Sequence, residues 1–255
     1  MNDKKINIAI VGLGLGAGFI PIYQKHPNSK MYALCQRTQS KVDEVGDALG
    51  IEKRYSDFNE LLKDPSVDAV YINTPINNHA AQSLAAMRAG KHVACTVPMA
   101  TTVKECEQIV KAVKETGLTY MMTETVVYCR EFLFVKELYE HGELGKVQFL
   151  KASDQQEMGG WTGYWKGLPP MNYTTHYVGP VLALVKAEAA YVSCFGSGRI
   201  DEALIPKYGF PFAIETCHTK YKDSDLSAEV SRSLFNTARQ YRESFDVYGS
   251  KKSFE

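Results

Sequence analysis

One stretch restricts this chain more than any other. "INIAIVGLGLGAGF", Ile6 to Phe19, is a short apolar run that breaks on glycines and passes directly into a helical pattern. Gly12, Gly14 and Ala17 make a GxGxxA spacing. The first glycine permits a tight turn, the second lets a pyrophosphate approach the backbone, and the alanine permits close helix–strand packing. Leu15 lies within the same turn, and the helix amino end adds unpaired N–H groups and a positive dipole. These residues predict a βαβ unit that binds a dinucleotide, NAD or NADP. Pro21 disagrees locally with a helix over Leu15–Lys25 and predicts a kink there.

The rest of the first half supports that reading by alternation. Apolar strands are expected at Ile6–Val11, Met31–Cys35, Ala69–Asn73, His92–Cys95 and Thr119–Met122. Helical patterns separate them near Ser40–Leu49, Ser56–Lys63, Asn78–Ala89 and Val103–Glu115, which implies a parallel sheet with helices on both faces. Thr102 and Glu105 fit a capping box ahead of Cys106, Ile109, Val110 and Val113, and Gly90 is placed to end the preceding helix. After about Thr123 the pattern changes. A helix near Arg130–His141 is followed by period-two strands at Val147–Ser153, Tyr191–Phe195, Phe212–Lys220, Ala228–Arg232 and Ser244–Tyr248, with few helices between the later ones. The expected domains are therefore residues 1–123, a dinucleotide-binding α/β unit, and 124–255, an α+β unit with a mainly antiparallel sheet. The Gly- and Trp-rich loop Gln155–Pro170 reads as an insertion over a cleft. "YRESFDVYGSKKSFE" stops inside a strand pattern, as an edge strand or as a chain shortened at its carboxyl end.

Composition excludes some partners. Lys plus Arg equals Asp plus Glu at 29 each, so no net field favours nucleic acid or an anionic membrane. No apolar run approaches the roughly 18 residues of a membrane span, and no secretory leader is visible. Six scattered cysteines without a CxxC pair read as reduced core thiols, and a cytoplasmic location follows. Glu215 and His218 are three apart on a strand pattern and project to opposite faces, so no metal site is expected.

Three segments carry the remaining cofactor chemistry. In "ALCQRTQSK", Gln36 and Arg37 stand where an acid would clasp the ribose of NAD, so the 2′-phosphate of NADP is open as well. In "YINTPINNHA", Thr74 and Pro75 leave the sheet, Pro75 can wall a cofactor ring, Asn77 or Asn78 caps the next helix, and His79 lies in its first turn. In "HVACTVPMATT", Thr96 and Pro98 close a strand.

Gly12/Gly14/Ala17, "TPINNHA" and "AGKHVACTVPMATTVKEC" together resemble the glucose–fructose oxidoreductase, inositol dehydrogenase and rhizopine-catabolism (Gfo/Idh/MocA) superfamily. The resemblance implies a Rossmann domain followed by an open-faced α/β domain whose sheet forms a homo-oligomer contact. It also implies a longer chain than this one. Family dehydrogenases carry a Glu-Lys-Pro triplet and an Asp and His four residues apart; the positions here are Thr96, Val97 and Pro98, then Asn172 and His176. Lysine and aspartate are therefore replaced by groups that do not take a proton. "TETVVYCREF" and "NYTTHYVGP" are similar to the NAD-dependent glycosidase branch, which oxidises a sugar at C3, eliminates the aglycone across C1–C2, adds water and reduces the sugar again. By position that likeness makes Tyr173 and His176 the polar pair near the sugar.

His176 is the expected proton-transfer group, because an imidazole titrates near neutrality. A structural hydrogen-bonded histidine is the alternative. Tyr173, three residues earlier, shares its face if the run is helical, although a phenol is a poor base unless a cation lowers its pKa. Glu124 is read as orienting a hydroxyl or acting as an acid, and Tyr128 as facing the substrate. Gln155, Gln156, Trp161, Tyr164, Trp165 and Lys166 offer aromatic planes and polar groups suited to a sugar or polyol, with Lys166 as a substitute ammonium. The expected activity is an NAD(P)-dependent oxidoreductase acting on a sugar or polyol. The alternatives are an NAD-dependent glycosidase and a cofactor-binding protein without turnover.

Overall fold

The computed structural model of the chain describes residues 5–239 and 241–255. The chain divides into two compact units, Met1–Thr123 and Glu124–Glu255.

The first unit is built on strands β1 (Ile6–Val11), β2 (Ser29–Cys35), β3 (Lys53–Tyr55), β4 (Ala69–Ile72), β5 (His92–Cys95) and β6 (Tyr120–Met122). Its helices are α1 (Ile20–Lys25), α2 (Gln39–Leu49), α3 (Phe58–Lys63), α4 (His79–Arg88) and α5 (Val103–Thr116). The strands form one parallel sheet in the order β3-β2-β1-β4-β5-β6. From β1 the chain winds outward through β2 and β3, then returns to β4 on the other side. The order reverses between β1 and β4, and ligands of such sheets bind at the carboxyl ends of the strands flanking that reversal. Period-two alternation splits the core. Ala9, Val11, Val70, Ile72 and Cys95 face one layer, Ile10, Leu34 and Tyr71 the other, and burial on both faces is why these strands read as continuous apolar runs.

Local chemistry sets the helix ends. Thr102 Oγ1 accepts from the Glu105 N–H at 3.2 Å while Glu105 Oε2 accepts from the Thr102 N–H at 3.0 Å, which is the expected capping box. Gly90 takes φ +76° just after α4. The Asp57 carboxylate caps α3, a start that the sequence reading placed slightly earlier. Two expectations change. Pro21 does not kink a helix: a 3-10 turn over Gly16–Phe19 precedes α1, which begins at Ile20, so the proline sits in a first turn where its missing N–H costs nothing. On α5 Ile109 is fully buried but Val110 is 48% exposed, a narrower apolar stripe than the four positions expected.

The second unit contains α6 (Arg130–Glu140), β7 (Val147–Gln156), α7 (Thr175–Val185), β8 (Ala189–Ser197), β9 (Ile214–Tyr221), β10 (Ser227–Ser233), β11 (Tyr241–Gly249) and β12 (Ser253–Phe254). They form a sheet in the order β12-β11-β7-β10-β9-β8, antiparallel throughout except for the β7–β10 pair. Leu150, Ala152, Ala228, Val230 and Val247 face a core completed by Phe132, Val135, Tyr177, Val181 and Leu184 from the helices. Gln155 and Gln156 are not in the long loop as expected. They extend β7, pairing with Ser233 and Tyr241. The six cysteines are not all free thiols either: Cys194 and Cys217 face each other in register on β8 and β9, with Cα atoms 4.1 Å apart, and form a disulfide. Among the described residues no helix is long and apolar enough to cross a membrane.

Candidate active site

In the first unit the carboxyl ends of β1 and β4 build a cofactor cradle. Gly12 takes φ +91°, and a Cβ there would lie 2.6 Å from the Asn73 carbonyl oxygen, so only glycine fits. Its N–H donates to Cys35 O at 2.9 Å, tying the turn to the end of β2. Gly14 is different: it is exposed, and nothing lies within 4 Å of where a Cβ would be. That open face beside the turn fits a pyrophosphate. Ala17, expected to be the close-packing position, is half-buried against the α1 side of the core. The close approach is made instead by Gly16, where a Cβ would meet Ile10 at 3.0 Å and Asn73 at 3.1 Å. Asn73 Oδ1 is buried with no partner among the described residues, an acceptor at the same turn that a cofactor hydroxyl or amide would satisfy. Because the turn is a single 3-10 segment before a six-residue helix, the backbone N–H groups contribute more here than any helix dipole.

The other expected cofactor residues sort by placement. Leu15 and Arg37 are exposed, and Gln36 is half-buried with its N–H on Tyr55 O at 3.1 Å. Thr74 Oγ1 donates to Gln82 Oε1 at 2.5 Å; Pro75 and Thr96 are half-buried and Asn77 is exposed. Pro98 is buried and follows a cis peptide bond. His79 is a correction. It is fully buried, its ring nitrogens lie 2.7 Å from Pro98 O and 2.8 Å from Thr74 O, and no ring atom is left for a cofactor. Burial lowers its pKa, outweighing the two carbonyls that raise it.

In the second unit the segment before and into α7 gathers the polar groups. A 3-10 turn over Pro170–Tyr173 leads to α7, which puts Tyr173 and His176 on one face. His176 Nε2 lies 3.3 Å from the Tyr173 hydroxyl, and Nδ1 lies 2.6 Å from Glu124 Oε1. Glu124 thus touches the histidine rather than presenting itself as a free acid. Trp165 is buried and packs edge-on against Tyr173 with centroids 4.8 Å apart, and Trp161 packs edge-on against Trp165. Tyr128, Lys166 and Asn172 face solvent and join none of these contacts.

Below this segment lies a feature that the sequence reading missed. One register row crosses the sheet as Glu215, Arg232, Asp154 and Glu243 on β9, β10, β7 and β11. Arg232 and Asp154 form a buried ion pair, and Arg232 Nη2 donates to Gln156 Oε1 at 2.8 Å. The guanidinium carbon lies 5.3 Å from the Tyr173 ring centroid and 5.6 Å from that of Tyr177. Glu215 Oε2 accepts from the Met171 N–H at 2.7 Å, and Glu243 Oε1 accepts from the Tyr177 hydroxyl at 3.2 Å. The row is therefore the platform on which Met171, Tyr173 and Tyr177 rest. Burial brings the Arg232 pKa down to about 9, so it stays charged at neutral pH. Burial and the Glu124 charge push the Tyr173 phenol well above its usual range, despite the cation beneath its ring. In the chain by itself Tyr173 is accordingly a neutral hydrogen-bonding group. The signal was present in the sequence: Asp154 shares strand parity with Leu150 and Ala152, and Arg232 with Ala228 and Val230, so both are charges at core-facing positions.

Residues 6–124 match a family model described as an oxidoreductase family with an NAD-binding Rossmann fold. The chain is 28% identical to an alpha-N-acetylgalactosaminidase from Shewanella oneidensis and 27% identical to a glycosyl hydrolase family 109 protein from Shewanella baltica. Each of these matches covers 90% of this chain and 56% of the relative, so the chain spans little more than half the length of the curated proteins it resembles. Among solved structures, apo scyllo-inositol dehydrogenase from Lactobacillus casei matches with a TM-score of 0.85 at 22% identity, over 100% of this chain and 75% of that one. The same enzyme with bound NAD(H) and scyllo-inositol gives 0.84 at 21%, over 98% and 76%. A probable dehydrogenase from Thermotoga maritima gives 0.86 at 22%, over 98% and 74%. At these identities the structural likeness shows the fold: a Rossmann-type parallel sheet followed by a mainly antiparallel one.

Proposed function

We propose that this chain, whose residues 6–124 match an oxidoreductase family with an NAD-binding Rossmann fold and whose sequence resembles the Gfo/Idh/MocA superfamily, is an NAD(P)-dependent oxidoreductase acting on a hydroxyl carbon of a sugar or polyol. The observation that carries the reading is the pairing of a forced glycine at Gly12 with open space at Gly14, a turn shaped for a phosphate rather than for its own packing. Gly12 and Gly14 would hold the pyrophosphate end, Asn73 Oδ1 would accept from a cofactor hydroxyl or amide, and Gln36 and Arg37 would meet the adenosine ribose. Bound there, the nicotinamide supplies the hydride acceptor. His176 removes the hydroxyl proton at Nε2, the neutral Tyr173 hydroxyl hydrogen-bonds beside it, and Trp161 and Trp165 offer aromatic surface to a sugar ring. Val97 and Asn172 place no proton acceptor where family dehydrogenases have lysine and aspartate, so proton transfer rests on His176.

A second reading is favoured by the glycosidase names of the curated relatives: the same hydride removal at C3, then loss of the C2 proton with elimination of the aglycone across C1–C2, addition of water at C1 with a proton returned to C2, and return of the hydride to C3. Incubation with NAD and either scyllo-inositol or an aryl glycoside in deuterated water separates the two. NADH accumulation without deuterium at C2 supports dehydrogenation; aglycone release with C2 exchange and no net NADH supports the glycosidase. Nucleotide binding without either product supports a non-catalytic cofactor-binding protein. His176→Ala is expected to lower kcat about 10²–10⁴-fold with nucleotide affinity nearly unchanged, and equal turnover would remove His176 from the mechanism. The proposed location is the cytoplasm, supported by the four free cysteines and opposed by the Cys194–Cys217 disulfide. The proposed assembly is a homo-oligomer through the second sheet.

A further inference from the structure

We propose that Glu124 is a positioning residue that acts through His176, holding the imidazole in its Nδ1–H form so that Nε2 is the atom left to take the hydroxyl proton. The inference rests on the base role given to His176 above. An ionised carboxylate only accepts hydrogen bonds, so the ring nitrogen 2.6 Å from Glu124 Oε1 must be the one that carries hydrogen. The carboxylate cannot swing away easily. Its Oε1 also accepts from the Val126 N–H at 3.0 Å, and the side chain is only 6% exposed, against 16% for His176.

The helix is shaped around this contact. Gly179 lies one turn beyond His176, and a Cβ there would stand 3.0 Å from Glu124 Cγ. Any side chain at 179 would require the Glu124 side chain to give by a few tenths of an ångström. Glu124 Oε2 is buried with no partner among the described residues. A side chain whose only task was to cap the turn at Val126 would not need to bury a second, unpaired oxygen. The other polar groups around the ring are accounted for: the Tyr173 hydroxyl faces Nε2, the Tyr177 ring lies 6.3 Å away, Arg232 lies under both tyrosines, and Glu243 takes the Tyr177 hydroxyl. None of these contacts Nδ1, so the tautomer depends on Glu124.

The test is ¹⁵N NMR of the full chain labelled at histidine, in alkaline buffer where an ordinary imidazole is neutral, with His176→Gln to assign the signal. Wild type is expected to show a protonated Nδ1 and a bare Nε2. Glu124→Gln keeps the length and an acceptor for Val126 but also offers N–H₂ to Nδ1, so the signal should become mixed or inverted. Glu124→Asp retains the carboxylate and should keep the wild-type pattern in part; it also serves if the Gln variant does not fold. With scyllo-inositol or an aryl glycoside, whichever turns over, Glu124→Gln should lower kcat about 10²-fold or more, since a wrong tautomer in a comparable histidine–carboxylate pair costs about 10⁴. KM and nucleotide Kd should stay within about twofold. An unchanged tautomer in Glu124→Gln, a proton on Nε2 in wild type, or a tautomer change with unaltered kcat would each overturn the proposal. Because the NMR result needs no substrate, a tautomer change in a chain that turns over neither compound would refute the catalytic reading and leave the Glu124–His176 linkage standing.

Discussion

At the residue scale, two glycines two positions apart do opposite work. Gly12 is held by its own chain: φ is +91° and the Asn73 carbonyl closes on it, so Gly12→Ala should cost about 1–3 kcal/mol of folding free energy before any ligand is added. Gly14 is held by nothing. Gly14→Val should therefore leave the thermal midpoint nearly unchanged while weakening NAD binding more than tenfold, about 1.4 kcal/mol. Calorimetric titration with NAD beside thermal melts reads both effects, and a Gly14→Val protein with wild-type affinity would move the pyrophosphate elsewhere. The glycine spacing was legible in the sequence because turn sterics act on neighbours. The role of Glu124 was not, since it depends on a residue fifty-two positions away across the fold.

At the scale of elements, the buried His79 ring fills the space between the exits of β4 and β5, its nitrogens 2.8 Å from Thr74 O and 2.7 Å from Pro98 O, and as a neutral ring it donates to one of the two. Its pKa is lowered in the fold, so as pH falls below about 6.5 the unfolded chain takes up the proton first. The stability tied to this ring is complete above that pH and is lost as pH falls toward the depressed folded value. Urea midpoints should drop on acidification more steeply for wild type than for His79→Leu; the reverse order would mean that the ring is charged in the fold. The platform row makes a separate prediction. Arg232→Met strands a buried Asp154 and should destabilise by about 3–5 kcal/mol, whereas the double change with Asp154→Leu should cost clearly less. Additive costs in that double-mutant cycle would mean that the two charges do not depend on each other. Elements with strong local signals, such as the α5 capping box and the apolar strands of the first sheet, could be read in advance. The three-residue β3, polar and exposed at its start, could not, because only pairing with β2 makes it a strand. The start of α1 was misread because a 3-10 turn and a first-turn proline look in sequence like one kinked helix.

At the scale of the whole molecule, the change from helix-separated strands to strands in succession was visible near Thr123, while the register of the second sheet was not, since parallel β7–β10 pairing joins segments far apart in sequence. That register decides which side chains share a row. On one face it aligns Thr216, Ser231, Ser153 and Ser244, with hydroxyl contacts of 2.9 and 2.8 Å, and the row ends at Phe195 on β8. Among the described residues β8 is an edge strand that runs nine residues and leaves Tyr191 64% and Phe195 67% exposed. Exposed apolar side chains on a long edge strand suit burial against a partner surface, and a second copy is the occupant proposed for it. Phe195→Asp places a charge in the carboxyl half of that strand without touching the core face, so it should leave the melting temperature within a few degrees while shifting the sedimentation coefficient from an oligomer to a monomer. Identical sedimentation of wild type and Phe195→Asp would take β8 out of the assembly. A monomeric wild type would mean that this edge is solvated, and the exposure of Tyr191 and Phe195 would then need a cause within the single chain.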